Sequence, residues 1–199
     1  MKGKLVLMCA LFVAALAMSA GAAEVKSTTT KSGKPRFEAT EKVTGEATVL
    51  AVNKTKRTVK LHTADGDTVE IECGPEVKNF AQIKVKDVVT ATYTEMLVIE
   101  VEGAGVAETS AEATMSAAKP GEKPKGEVKA KVQYKANITA IDKAAGSVTL
   151  KGTDGREATI KPRNPANLDK VKVGDLVVFT YSEALAVSVT KAGTSSASK

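Results

Sequence analysis

The feature that most constrains this chain is that it resembles itself. At a spacing of about 89 residues, Ala51-Val52-Asn53 answers Ala140-Ile141-Asp142, Val59-Lys60-Leu61 answers Val148-Thr149-Leu150, and Asp65-Gly66 answers Asp154-Gly155. After a one-residue slip, Ile83-Lys84-Val85-Lys86-Asp87 matches Val171-Lys172-Val173-Gly174-Asp175. Thr92-Tyr93-Thr94-Glu95 then matches Thr180-Tyr181-Ser182-Glu183. This is the pattern of a duplication. Two copies are too few to share a core as a solenoid does, so each unit of about 60 residues is expected to close on itself.

Within each unit the apolar period is two. Val59 and Leu61 alternate with Thr58 and Lys60, and Asp65-Gly66 and Asp154-Gly155 are hairpin signals flanked by β-branched runs. The stretches from Pro75 to Ile83 and from Pro165 to Val171 break the alternation and predict a short helical turn, which Pro75 would open. Strand signal resumes at Val88 to Val101 and at Leu176 to Val189. The expected fold is all-β: two tandem small OB-like five-stranded barrels, each with a short helical turn before strand four, closed so that no edge is left free. An open sheet with a helix on one face is the rival arrangement.

The ends and the middle read differently. Lys2 and Lys4 precede an apolar run from Leu5 to Met18, and Ser19 to Ala23 are small, which predicts a signal peptide over residues 1–23. The run is short for a membrane anchor, so no span is expected after cleavage. Cleavage would leave 27 basic residues against 23 acidic and Cys73 as the one cysteine, so no internal disulfide can form. Residues 24–40 predict a disordered lead and residues 193–199 a disordered tail. Residues 104–130, poor in large apolar side chains and centred on Lys119-Pro120-Gly121, predict a flexible linker. The repeats then occupy residues 41–103 and 131–192.

The Lys-Val-Gly-Asp turn at Lys172 to Asp175, followed by Tyr181-Ser182-Glu183-Ala184-Leu185, resembles exported bacterial OB-like barrel domains of unknown function. At greater distance each unit resembles the small periplasmic copper- and silver-binding chaperones of metal-efflux systems. That resemblance implies a soft-metal site built from a His, two Met and a Trp. His62 falls near the family's His, but there is no Trp, residues 67–80 contain no Met, and Lys151 stands where the second unit would need its His. Met96 and Met115 lie elsewhere in the chain. His62 is thus the one weak metal candidate and no cofactor is expected; a lone strand His is ordinarily a solvent-facing residue.

Tyr93/Glu95 and Tyr181/Glu183 form the one polar pair kept in both units, and they are the candidate binding residues. Glu183 falls in the apolar register Val177, Phe179, Tyr181, Leu185, Val187. It reads either as an acid beside a tyrosine or as a residue swung outward by a bend or bulge. Lys54, Lys56, Arg57 and Lys60 cluster, as a solvated face or as a weak attractor of anionic envelope polymers. Cys73 reads as a half-buried strand residue or as a disulfide to a second copy. With one His and no phosphate loop, enzyme chemistry is not expected. Aromatics at 4% disfavour nucleic acid. The expectation is a periplasmic or secreted bacterial protein acting as a non-catalytic binding or scaffolding module for an envelope protein or polyanion. A metal chaperone is the alternative.

Overall fold

The computed structural model describes residues 18–20 and 23–193. Most of the stretch expected to be a signal peptide and residues 194–199 of the expected tail lie outside the described residues. The chain is all-β. Strands β1 (Met18–Ala20) and β2 (Glu24–Thr29) precede β3 (Pro35–Asn53), β4 (Thr58–Thr63), β5 (Thr68–Glu72) and β6 (Val88–Ala104). A second series follows: β7 (Thr109–Ala117), β8 (Lys125–Asp142), β9 (Ser147–Lys151), β10 (Glu157–Ile160) and β11 (Asp175–Thr190). No helix among the described residues is long and apolar enough to cross a membrane.

The alternation read from sequence builds these strands. In β4, Val59, Leu61 and Thr63 point inward while Lys60 and His62 point out. The inward set joins Ala47, Val49, Phe80, Ile83, Val89, Ala91 and Val189 in one core. A second core collects Val101, Ala136, Ile138, Val148, Leu150, Leu168 and Val177. Short 3-10 turns cover each core, Phe80–Gln82 over the first and Pro165–Lys170 over the second. Pro165 opens its turn behind an Asn164 side chain that accepts from the Ala166 N–H, whereas Pro75 lies ahead of its turn, which follows Asn79.

Two closed barrels are not what these strands form. They make one open antiparallel sheet in the order β10-β9-β8-β11-β6-β3-β4-β5, with β1 and β2 on β3 and β7 on β8. The reason lies in β6. To close the first half, β6 would offer its second edge to β5. That edge is bonded instead to β11, from Leu176 opposite Glu102 to Thr190 opposite Val88. The β11 edge is satisfied by the same ladder, so the two halves share a sheet rather than standing apart.

The expected lead and linker are also drawn into the sheet. β2 pairs with the first residues of β3, and β7 pairs with β8 from Thr109 opposite Tyr134 to Ala117 opposite Gly126. The long strands consequently begin at Pro35 and Lys125, ahead of the repeat boundaries at 41 and 131. Backbone pairing orders these segments despite their low apolar content. The ladder shifts register between Val49 and Ala51 in β3 and between Ile138 and Ala140 in β8, where Leu50 and Thr139 are thrown outward. No register shift occurs at Glu183, so no bulge turns that residue outward.

Candidate functional site

At the centre of the β6–β11 ladder the residues that match between the two halves meet. Glu95 stands directly opposite Glu183, Tyr93 opposite Leu185 and Tyr181 opposite Leu97. Residues two apart share a face, so both tyrosines and both glutamates meet on one side of the sheet. The Tyr93 hydroxyl donates to Glu95 Oε1 at 2.7 Å, and the Tyr181 hydroxyl donates to Glu183 Oε1 at 2.7 Å. Tyr181 also lies 3.1 Å from Glu95 Oε1, a second acceptor for the same proton. All four sequence candidates are thus brought together. The neighbouring strand adds a residue that sequence reasoning missed: Glu41 stands opposite Glu95 on β3.

Both phenols are pushed above their ordinary range. Burial is the larger cause for Tyr93, followed by its bond to Glu95. For Tyr181 the bond to Glu183 comes first and burial second. A phenol held as a donor to a carboxylate is a poor base or nucleophile at neutral pH, because ionising it would set an anion against an anion. Directly opposed like charges weaken a ladder, and the two hydroxyls supply the donors that make this pair tolerable.

The other candidates scatter. His62 is exposed on β4, opposite Thr48 and Thr68. Cys73 is a free, half-buried thiol packed against the first core, with its N–H bonded to the Arg57 carbonyl. Burial raises its pKa, and the Arg57 charge pulls the other way. The thiol belongs to the core face and His62 to the opposite face. They also stand about five ladder positions apart, roughly 16 Å. Met96 sits opposite Thr40 and Ser182, and Met115 is exposed on β7. These donors do not fit one soft-metal ion, and among the described residues no group of three or more His, Cys, Asp or Glu could hold a metal.

Of the basic cluster, Lys54, Lys56 and Lys60 line a depression of about 500 Å³ together with Glu70. Arg57 turns away from it, donating to the carbonyls of Cys73, Gly74 and Val77 at 2.8–3.0 Å and stacking 4.7 Å over the Phe80 ring.

A second paired constellation escaped sequence reading. Asp175 is fully buried and accepts from the Lys172 N–H and from the ammonium of Lys34. Asp87 accepts from the Lys84 N–H and from Lys123. Each lysine comes from the turn that opens one half, and each aspartate belongs to the other half. Lys34-Pro35 and Lys123-Pro124 stand at the repeat spacing, a signal that was present in the sequence. Desolvation pushes the Asp175 carboxyl up. The Lys34 ammonium and the Lys172 N–H outweigh it and leave the group below its ordinary value.

No family model and no curated protein matches the chain.

Proposed function

We propose that this chain is an exported, non-catalytic binding or scaffolding module of the bacterial cell envelope, built from two copies of one strand unit. The leader pattern at Lys2 to Ala23 supports export, and the repeat spacing supports the duplication. One observation carries the non-catalytic reading. The polar pair kept in both units is satisfied internally, with Tyr93 and Tyr181 donating to Glu95 and Glu183 on a sheet face rich in apolar side chains. Such a pair holds two strands in register and presents a surface, and it leaves no activated group for chemistry.

The test exploits the opposite directions of neighbouring side chains. Val132 is exposed on the Tyr/Glu face and Lys131 on the other. A photo-cross-linking residue at each position in living cells should give envelope-fraction adducts from position 132 and few from position 131. Recovery of the chain in the cytoplasm, or absence of adducts at both positions, would overturn the reading.

A further inference from the structure

The two faces of the central sheet differ in charge as well as polarity. In the region where β2, β3, β6, β11, β8 and β7 lie side by side, three successive rows make up the middle of the Tyr/Glu face. One row runs Met115, Val128, Leu185, Tyr93, Val43, and the next runs Ala113, Ala130, Glu183, Glu95, Glu41. The third runs Ala111, Val132, Tyr181, Leu97, Ala39, Val25. None of these residues is a lysine or arginine. The facing-away side of the same strands carries both signs, with Lys26, Arg36, Lys129 and Lys135 paired to glutamates and Lys42 and Lys131 beside them.

This face is open. Val25, Leu97, Met115, Val132 and Tyr181 are between 36% and 60% exposed, and they account for five of the ten exposed large hydrophobics of the described residues. The 3-10 turns cover the two cores at either end and leave the middle uncovered. Across the middle run Glu41, Glu95 and Glu183, and among the described residues no lysine or arginine forms an ion pair with any of them. At the margin of the face, Arg163 stacks 5.5 Å over the Phe37 ring.

We infer that this face docks a cationic amphipathic polypeptide segment, whose apolar side covers Leu97, Val132 and Tyr181 and whose lysines or arginines reach the Glu41–Glu95–Glu183 row. The inference deepens the binding-module reading and rests on it. Charge decides among occupants. A second copy of the chain would set three carboxylates against three, and an anionic polymer would meet the same repulsion. The size also suits a polypeptide partner. Five strands wide, with β2 as a sixth along one end, and about eight residues long, the face covers on the order of 600 Å², near the roughly 800 Å² each partner contributes to a standard interface. The formal charge of the whole chain is +6, so its overall field favours acidic ligands. A preference for a basic segment must therefore come from this face.

The test is fluorescence anisotropy on the full chain with two labelled helical peptides of equal length, one of Leu and Lys and one of Leu and Glu. The Leu/Lys peptide should bind at least tenfold more tightly. Combining Glu95→Gln with Glu183→Gln should cost at least tenfold in that affinity, since glutamine can still accept the tyrosine bonds and keep the fold. Val132→Lys should do the same, while Lys131→Glu on the opposite face should change it less than twofold. Urea midpoints of each variant separate lost binding from lost folding. Equal binding of the two peptides, or indifference to the glutamine pair with the midpoint unchanged, would overturn the inference. So would a dimer in sedimentation that Val132→Lys dissolves. If adducts at position 132 persist in cells while the peptide preference is absent, the charge assignment fails and the binding-module reading stands. If those adducts are absent while the peptide binds, it is the binding-module reading that fails.

Discussion

The two halves of the sheet have the same order of elements but solve the same local problems with different residues. Position 57 in the first half and position 146 in the second both have positive φ, at 53° and 65°; the first is Arg and the second Gly. The aspartate-bearing turn repeats the contrast, with Lys86 at φ 72° against Gly174 at φ 90°. Phe80 fills the first core where Leu168 fills the second. The second half thus uses glycine where the backbone is left-handed. The first half accepts strain there and, at Arg57, recovers it through contacts of the side chain. Both halves take part in the exchange of lysines, each half closing the buried aspartate of the other.

That exchange should give the largest effect. Lys34→Met leaves the Asp175 carboxylate buried without a countercharge, and the expected loss is about 3–5 kcal/mol in urea unfolding. Lys123→Met should cost somewhat less, because the Asp87 side chain keeps 6% exposure against 0% for Asp175. Acid should act in the same direction. The Asp175 carboxyl is depressed in the folded chain, so the unfolded chain takes up its proton first. Its contribution is complete above the ordinary aspartate range and is lost as pH falls through and below that range. Lys34→Met should remove this part of the acid sensitivity. A loss under about 1 kcal/mol for Lys34→Met would mean that the opening turn is not docked on the second half.

Arg57 is the next place to break the comparison. Arg57→Gly gives the first half the residue that the second already has, relieving left-handed strain of about 1 kcal/mol. It also removes donors to three carbonyls and the cover over Phe80. Charged hydrogen bonds outweigh the relief, and the net cost should be about 2 kcal/mol by thermal or urea unfolding. Arg57→Lys should not restore it, since an ammonium cannot fork between separated acceptors. A neutral or stabilising Arg57→Gly would show that the two halves are built alike here and that the clamp carries no weight.

How much of this was legible beforehand depends on range. Alternation along Thr58 to Thr63 and the Asp65-Gly66 turn are local, and the β4–β5 ladder has both. The register of Glu183 among apolar residues was legible for the same reason. The partner of β6 was not. Nothing in the composition of Val88 to Ala104 distinguishes an edge that curls back to β5 from one that meets β11. β2 and β7 were hidden because residues such as Glu24, Lys26, Thr114 and Ser116 are exposed, so these strands bury little and are held by backbone bonds. Glu41 could join the candidate site only once β3 was known to lie against β6 along its whole first half.

The smallest effect is the cleanest test of strain. In the turn before β11, Gly174 holds φ 90°, and a Cβ built there would meet nothing within 4 Å. Gly174→Ala therefore costs the conformational term of a left-handed residue with a side chain, about 1–2 kcal/mol, less the roughly 0.5–1 kcal/mol by which the stiffer unfolded chain favours folding. Lys86 already bears that term in the first half, on an exposed position whose side chain covers no core residue. Lys86→Gly should release it, while the freer unfolded chain takes back roughly 0.5–1 kcal/mol. The expected net is a stabilisation of about 0.5 kcal/mol, opposite in sign to Gly174→Ala. Urea midpoints of the two variants, measured at one pH above the carboxylate range, decide it. If both changes destabilise, the Lys86 backbone is held by something its neighbours supply, and the two turns are not equivalent.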